Sequence, residues 1–237
     1  MRTAIAIACI VSLGAGVIQG ASVQSGEDSE SMIDRFLNSG KPALTSYKAR
    51  RVLTASSMGG RMSATLEALT SLDAVGTFSF EVIRQEGSGL IRNRVLIAAL
   101  EAEQRSRNHG ELAQSELTAA NYAFQAENSN REDGLAELRL VPRRNTPMLL
   151  HGTVTVRPHD GDIVLIAGSP SESPSWWTKH VVVVRRYGRI AGVRVPLEMA
   201  TRADVRIGGE STFSMVYEYR SINGRPVGGA VAPTQAP

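Results

Sequence analysis

Cysteine is almost missing from this 237-residue chain: the only one, Cys9, lies inside an N-terminal apolar run. The four histidines form no His-x-His or His-Glu-x-x-His spacing, and no Gly-x-Ser-x-Gly motif occurs. The sequence therefore lacks the local signatures of zinc and serine hydrolases, and loss of Cys9 would exclude thiol catalysis and disulfides. A hydrolase with a scattered site stays open as an alternative that no motif favours. We expect no enzyme activity, no cofactor and no metal site.

The first 20 residues have the layout of a secretory signal peptide. Arg2 precedes an apolar run over residues 4–18, and the small residues Gly20 and Ala21 follow it. The run is shorter than the roughly 20 residues that span a membrane, and Cys9 lies too deep in it to become a lipid-modified N-terminus. A buried N-terminal helix is the alternative. We expect cleavage, export to the periplasm and a mature chain without a transmembrane segment.

Charge gives little indication of nucleic-acid binding. Loss of Arg2 leaves 25 basic and 23 acidic residues, and this weak excess does not form the clustered basic face that nucleic acid requires. Polar residues over 21–29 predict a disordered linker, and the Gly-, Ala- and Pro-rich residues over 226–237 predict a flexible tail. One domain is expected over residues 30–225, beginning with a short amphipathic helix over 29–37.

Hydrophobic periodicity predicts a sheet interrupted once by a helix. Residues 62–72 alternate apolar and polar over their whole length, which is typical of a strand with one buried face. Apolar residues recur at helical spacing over 88–103. The other predicted strands cover 47–55, 77–84, 121–128, 135–141, 147–157, 162–168, 177–187, 190–199, 203–207 and 212–221.

About eleven strands joined by short turns predict an α+β fold with one antiparallel sheet. So many antiparallel strands in one domain must curve or close. The apolar stripe of the 88–103 helix needs a partner surface, so we expect helices on the concave side of a strongly curved sheet.

This layout resembles the periplasmic lipoprotein-carrier (LolA/LolB/RseB-like) superfamily, in particular an uncharacterised exported branch. The branch carries a Gly-Ser-Gly-x-Ile-Arg-x-Arg-Val segment, here residues 87–95, and a Pro-Ser-Trp-Trp to Arg-Arg-Tyr segment, here residues 174–187. The resemblance covers about residues 30–225. It implies a half-open β-barrel whose helices cover an apolar cavity that accepts acyl chains.

The strand and helix periodicities predict which side chains line such a cavity. Apolar residues that share the inward face of the sheet or of the helix are its expected walls: Leu66, Ala68, Phe78, Phe80, Leu90, Ile91, Val95, Phe213, Met215 and Tyr217.

Paired arginines and paired tryptophans are candidates for the edge of the cavity. Neighbouring residues on a strand face opposite ways, so Arg50-Arg51, Arg143-Arg144 and Arg185-Arg186 should each place one arginine on either face of the sheet. A solvated outer face is one interpretation, and an inward or rim arginine that binds an acidic headgroup is the other. Arg50, Arg51, Trp176 and Trp177 are the predicted rim or headgroup contacts. Trp176 and Trp177 could equally contact lipid or pack against a neighbouring loop.

Two short motifs have an ordinary structural interpretation as well as a functional one. Asp160-Gly161-Asp162 indicates a hairpin turn rather than a calcium loop, because further oxygen ligands at loop spacing are missing. Gly87-Ser88-Gly89 indicates the start of a helix rather than an anion site, because no P-loop lysine follows.

Two functions from different classes follow. The first is a non-enzymatic envelope protein that binds lipid, lipoprotein acyl chains or an outer-membrane protein in an apolar cavity, as carrier or sensor. The alternative is a structural or regulatory module that docks a protein partner through a sheet edge or the Trp176-Trp177 segment. A continuous cavity favours the first function, and a filled core with an exposed apolar patch favours the second.

Overall fold

One antiparallel sheet dominates the molecule. The computed structural model of the chain describes residues 24–39, 41–128, 131–173, 178–206 and 209–228. Within these residues the sheet has eleven strands and does not close. One helix precedes the first strand in the chain, and the other helices are inserted between the third and fourth strands. The predicted α+β class and the predicted open sheet with a helical cover are confirmed.

The strands agree with the sequence prediction except near the C-terminus. Predicted strands 190–199 and 203–207 form one strand, because pairing with both neighbouring strands continues through residues 200–202. The turn before this strand falls at Ala191-Gly192, where both residues have positive φ. The strands are β1 (Tyr47–Ser57), β2 (Met62–Leu72), β3 (Phe78–Gly87), β4 (Tyr122–Asn128), β5 (Ala136–Pro142), β6 (Leu150–Arg157), β7 (Asp162–Pro170), β8 (Thr178–Ile190), β9 (Val193–Val205), β10 (Gly209–Ile222) and β11 (Arg225–Pro226).

Helices occur at two places in the described chain. Helix α1 (Gln24–Asn38) starts before the predicted Ser29 and includes residues 24–29 of the predicted linker. Extending a helix that has already formed costs less than starting one. After β3 come α2 (Gly89–Ile91), a π-helical segment (Arg92–Ile97) and α3 (Ala98–Asn108) without a break, and we call these three segments the covering helix. A 3₁₀ helix (Glu111–Ser115) follows. No helix among the described residues is long and apolar enough to cross a membrane.

The strand order explains why the covering helix lies where it does. The sheet runs β3-β2-β1-β10-β9-β8-β7-β6-β5-β4, with β11 beside β10. Strands β3 and β4 follow one another in the chain but lie at opposite edges of the sheet. The connection between them must therefore cross one face, and it does so as the covering helix, which contacts β1, β2 and β3.

The helices cover a single face of the sheet, which we call the concave face. Leu66, Leu53, Met215 and Met199 lie opposite one another across β2, β1, β10 and β9, so they point to this same side. The covering helix buries one core there, and α1 buries a second core nearer β4 to β8. Strand β9 contributes to both cores, with Met199 in the first core and Ala203 in the second.

Candidate ligand-binding site

A cavity of about 270 Å³ opens between the covering helix and the concave face, where the two cores meet. The helix contributes mainly apolar side chains from its first half together with Arg94, and the sheet contributes small residues from β1, β9 and β10 together with Phe213. The lining residues are Ala55, Ser56, Ser57, Leu90, Ile91, Arg94, Val95, Ala99, Thr201, Ala203, Ser211, Thr212 and Phe213.

Small side chains on the sheet leave this space unfilled. Ala55 and Ala203 are buried on the concave face, and Ala99 is buried on the helix above them. Leu90 lines the cavity and is 52% exposed, so it lies at the opening. Burial of such a side chain by a ligand is favourable because apolar surface leaves water.

The π-helical segment lies at the cavity. Arg94 and Val95 belong to it, and Leu90 and Ile91 immediately precede it. A π-helical stretch is rare in proteins and frequently occurs at functional sites. The apolar spacing predicted a helix here, but it gave no sign of the changed hydrogen-bonding pattern.

The predicted cavity residues divide between the cavity wall and the close-packed core. Leu90, Ile91, Val95 and Phe213 line the cavity. The covering helix buries Leu66, Ala68, Phe78 and Met215 within the first core, so these four do not face the open space, while half-buried Phe80 and Tyr217 pack against that core.

Sequence reasoning missed the small lining residues. Ala55, Ala99, Thr201 and Ala203 carry no chemical motif, and Thr201 fell between two predicted strands. Only the position of the helix over the sheet shows that these residues border a cavity.

Four hydroxyl groups of residues that line the cavity bond in pairs across β1 and β10. Ser56 Oγ lies 2.8 Å from Thr212 Oγ1, and Ser57 Oγ lies 3.1 Å from Ser211 Oγ. Arg94 is the ionisable member of the described lining. Among the described residues no group of three or more His, Cys, Asp or Glu side chains is arranged to hold a metal ion.

Arg50 and Arg51 lie on opposite faces of the sheet, as predicted, and neither lines the cavity. Arg50 faces outward between Glu67 and Glu218, with its nitrogens 2.8 and 2.7 Å from their carboxylates. Arg51 is 1% exposed on the concave face, where its guanidinium lies 2.5 Å from the Glu103 carboxylate and also donates to the Tyr47 hydroxyl.

Aromatic rings and a second arginine complete the surroundings of Arg51. Its Cζ lies 4.5 Å from the ring centre of Tyr217 and 5.0 Å from that of Phe78. Burial alone raises the pKa of the Glu103 carboxyl, but Arg51 and Arg107 outweigh burial and lower that pKa from 4.5 to about 2. This network joins the covering helix to β1.

The other two arginine pairs differ from each other. Arg185 is buried on the concave face, opposite Met199, while Arg186 is exposed and its Nε lies 3.5 Å from Glu198. Arg143 and Arg144 come after β5 has ended, and both donate to backbone carbonyls of the 111–122 region. The predicted division between two sheet faces is thus correct for Arg185-Arg186 and wrong for Arg143-Arg144, which are not on a strand.

Asp162 is the centre of a second buried ionic cluster. Its carboxylate lies 2.5 Å from Arg194 Nε, 2.7 Å from Arg189 Nε and 2.6 Å from an Arg157 nitrogen. Arg189 and Arg194 also donate to Ser39 at the end of α1. The Asp162 carboxylate is therefore fully engaged in ion pairs with arginines. The turn between β6 and β7 that contains Asp162 is the hairpin turn that the sequence predicted.

The paired tryptophans belong to the connection between β7 and β8. Trp176 and Trp177 lie outside the described residues, which resume at Thr178. Their role as rim contacts therefore stays a prediction from the sequence.

No protein-family model and no curated protein sequence matches the chain. A LolA superfamily protein from Nitrosomonas europaea matches with a TM-score of 0.45 and 10% identity, over 80% of this chain and 90% of that chain. A DUF1329 family protein from Desulfovibrio piger matches with a TM-score of 0.42 and 10% identity, over 80% and 91% of the two chains.

A further match is the complex of MucA and MucB from Pseudomonas aeruginosa. Its TM-score is 0.24 at 10% identity, over 86% of this chain and all of that chain. Similarity at these TM-scores does not extend to a ligand or a partner, which must be inferred from the chain's own residues.

Proposed function

We propose that this protein is a non-enzymatic, exported binding protein of the cell envelope that holds an aliphatic chain of a lipid, free or attached to a protein. The observation that carries the proposal is the cavity between the covering helix and the concave face, with the half-exposed Leu90 at its opening. An alkyl chain in this cavity would bury apolar surface of Leu90, Val95 and Phe213 at roughly 25 cal/mol per Å².

The size of the cavity favours one chain over several. Its volume of about 270 Å³ lies at the lower end of the range of roughly 300–1,000 Å³ for small-molecule pockets. We therefore infer a ligand with a single aliphatic chain in contact with the protein, and a carrier or sensor role for the complex.

The chemistry of the lining supports binding rather than turnover. Four of its hydroxyls bond in pairs, Ser56 with Thr212 and Ser57 with Ser211, and the described lining places no histidine or carboxylate beside these four or beside Thr201. A serine nucleophile needs an adjacent base. We expect no hydrolysis of generic esters, and turnover abolished by a single Ser, Asp or His substitution would contradict this.

Export is inferred from residues 1–20, and a periplasmic location follows from it. The mature protein should begin near Ala21 or Ser22, because the apolar run ends there in small residues. N-terminal sequencing of the protein from its native host tests this, and an intact Met1 on the folded protein would contradict it.

Binding is tested by a charge placed at the opening of the cavity. Leu90→Asp should weaken binding of a fluorescent fatty acid at least about tenfold, since it removes apolar contact and puts a carboxylate beside the chain. Ile83→Asp is the matched control, because Ile83 is 45% exposed on the edge strand β3, away from the lining.

The same pair of variants tests the alternative function. Ile83 is a large apolar residue at an irregularity of the edge strand β3, which suits a partner that docks on the sheet edge. If Ile83→Asp abolishes capture of an envelope protein while Leu90→Asp leaves probe binding unchanged, edge docking replaces the lipid proposal.

A further inference from the structure

Arg185 is a buried cation that no described acidic side chain pairs. It is 4% exposed, and its Nε and Nη2 atoms have no hydrogen-bond partner among the described residues. A guanidinium stays protonated in proteins, and removing such a charge from water is costly unless it is paired. The buried Arg51 on the same face is paired with Glu103, and this ion pair offsets the cost there.

The surroundings of Arg185 connect it to the cavity. Its strand neighbour Val183 lies directly opposite Thr201, and Arg185 lies opposite Met199, so Arg185 and Thr201 are diagonal neighbours on the concave face. Thr201 lines the cavity, and its Oγ1 atom is also buried without a hydrogen-bond partner in the described part of the chain. A cationic donor and a hydroxyl donor thus occupy diagonal positions on the concave face, and Thr201 is the one of the two that borders the cavity.

We propose that Arg185 and Thr201 form an anion subsite that binds the acidic group of a single-chain amphiphile. This inference rests on the proposed function and adds the class of headgroup and the orientation of the ligand. A carboxylate or phosphate would accept hydrogen bonds from the guanidinium and the Thr201 hydroxyl. The aliphatic chain would then run along Ala203 and Phe213 towards the opening at Leu90, with the acidic group innermost.

The exposed Arg94 defines the opposite orientation. It lies in the cavity lining on the solvent side, where it could bind an acidic group that remains at the opening. Arg94 is solvated without a ligand, whereas Arg185 is not, so an anion relieves a larger desolvation cost at Arg185. Substitution of each arginine in turn separates the two orientations.

The test compares the binding of a fatty acid with the binding of its uncharged methyl ester. cis-Parinaric acid and its methyl ester are titrated by fluorescence into the full chain and into Arg185→Met, Arg94→Met and Arg186→Met. We expect the acid to bind at least about tenfold more tightly than the ester in wild type, Arg94→Met and Arg186→Met, because hydrogen bonds to a charged group contribute about this much to affinity. Arg185→Met should bind both equally. Arg186 is the matched control because it is the exposed neighbour on the other face.

The melting temperature of each ligand-free variant shows whether a change in binding is due to misfolding. Because no described carboxylate pairs with Arg185, ligand-free Arg185→Met should melt at the same temperature as wild type or higher. Competition by oleate, oleoyl lysophosphatidate and monoolein then distinguishes a carboxylate from a phosphate headgroup, with monoolein expected to be weakest on wild type.

Each contrary outcome has a distinct meaning. A lower melting temperature of Arg185→Met with its acid preference intact makes Arg185 structural and overturns the subsite. Loss of the preference in Arg94→Met instead overturns the inward orientation. Equal binding of acid and ester by wild type overturns the subsite but leaves the cavity as a binding site, whereas no binding of either overturns the proposed function as well.

Discussion

The Arg51 guanidinium lies 2.5 Å from the Glu103 carboxylate and joins strand β1 to helix α3 of the covering helix. Both side chains are almost completely buried, and Arg107 binds the same carboxylate at 2.9 Å. A buried ion pair adds little net stability relative to apolar residues, but loss of one partner is costly because the other charge remains in the core. The position of the covering helix therefore depends on the charge of Glu103.

This dependence predicts loss of stability in acid. The pKa of Glu103 is about 2 in the folded protein and 4.5 in its reference state. A lowered pKa contributes stability above pH 4.5, and that contribution disappears as the pH falls towards 2. It amounts to about 3 kcal/mol, the worth of the shift between the two values. Urea unfolding at a series of pH values between 7 and 3 should show a loss of about 2 kcal/mol from this group, the part of its contribution that is gone at pH 3.

Glu103→Gln should remove this pH dependence. Its free energy of unfolding at pH 7 should be about 3–5 kcal/mol lower than that of wild type, and the difference should shrink as the pH falls. Glu101→Gln is the matched control, since Glu101 is exposed on the same helix with Arg105 at 3.9 Å. A difference that stays constant between pH 7 and 3 would refute the assignment to Glu103.

Asp162 should be a second position of high sensitivity. Asp162→Asn leaves Arg194, which is 4% exposed, without its anion and loosens the attachment of Ser39 at the end of α1. We expect a loss of about 3–5 kcal/mol in the free energy of unfolding, measured by circular dichroism in urea. Asp160→Asn, in the same turn but partly exposed, should cost less than about 1 kcal/mol. Equal effects of the two variants would contradict the central role of Asp162.

Gly87 should be required where β3 turns into the covering helix. Its φ is +83°, and a Cβ atom there would lie 2.4 Å from the Ser63 carbonyl oxygen. Gly87→Ala should therefore destabilise the protein by about 1–3 kcal/mol. At Gly89 a Cβ atom meets only an Arg92 side-chain nitrogen at 3.5 Å, so Gly89→Ala should be neutral or stabilising by up to about 1 kcal/mol. Thermal unfolding of the two variants side by side tests this, and a tolerant Gly87 would contradict the turn geometry.

Periodicity was sufficient to predict the main elements of this fold. The strict alternation over 62–72 matches β2, and the helical spacing over 88–103 lies almost entirely within the covering helix. The sequence prediction divided β9 in two and left residues 200–202 outside both strands. Pairing with β8 and β10 on both sides keeps that strand continuous.

The cavity could be predicted only in part, because it depends on distances between elements. Alternation and helical spacing place Leu66 and Leu90 on inward faces equally well, but the covering helix buries Leu66 and leaves Leu90 half exposed. The Arg185-Arg186 pair had one inward member by the same rule. The pairing of β8 with β9 shows that Arg185 is the inward member of the pair.

The central claim is that the cavity at Ala203 holds one aliphatic chain, and native mass spectrometry tests it most directly. The protein is purified from its native host envelope, and bound lipid is extracted and identified. Wild type should carry one single-chain amphiphile per protein, and Ala203→Phe, which fills the cavity, should carry none. Ala74→Phe, in an exposed turn, should match wild type. Wild type without lipid, or a folded Ala203→Phe that retains the same lipid, would contradict this claim.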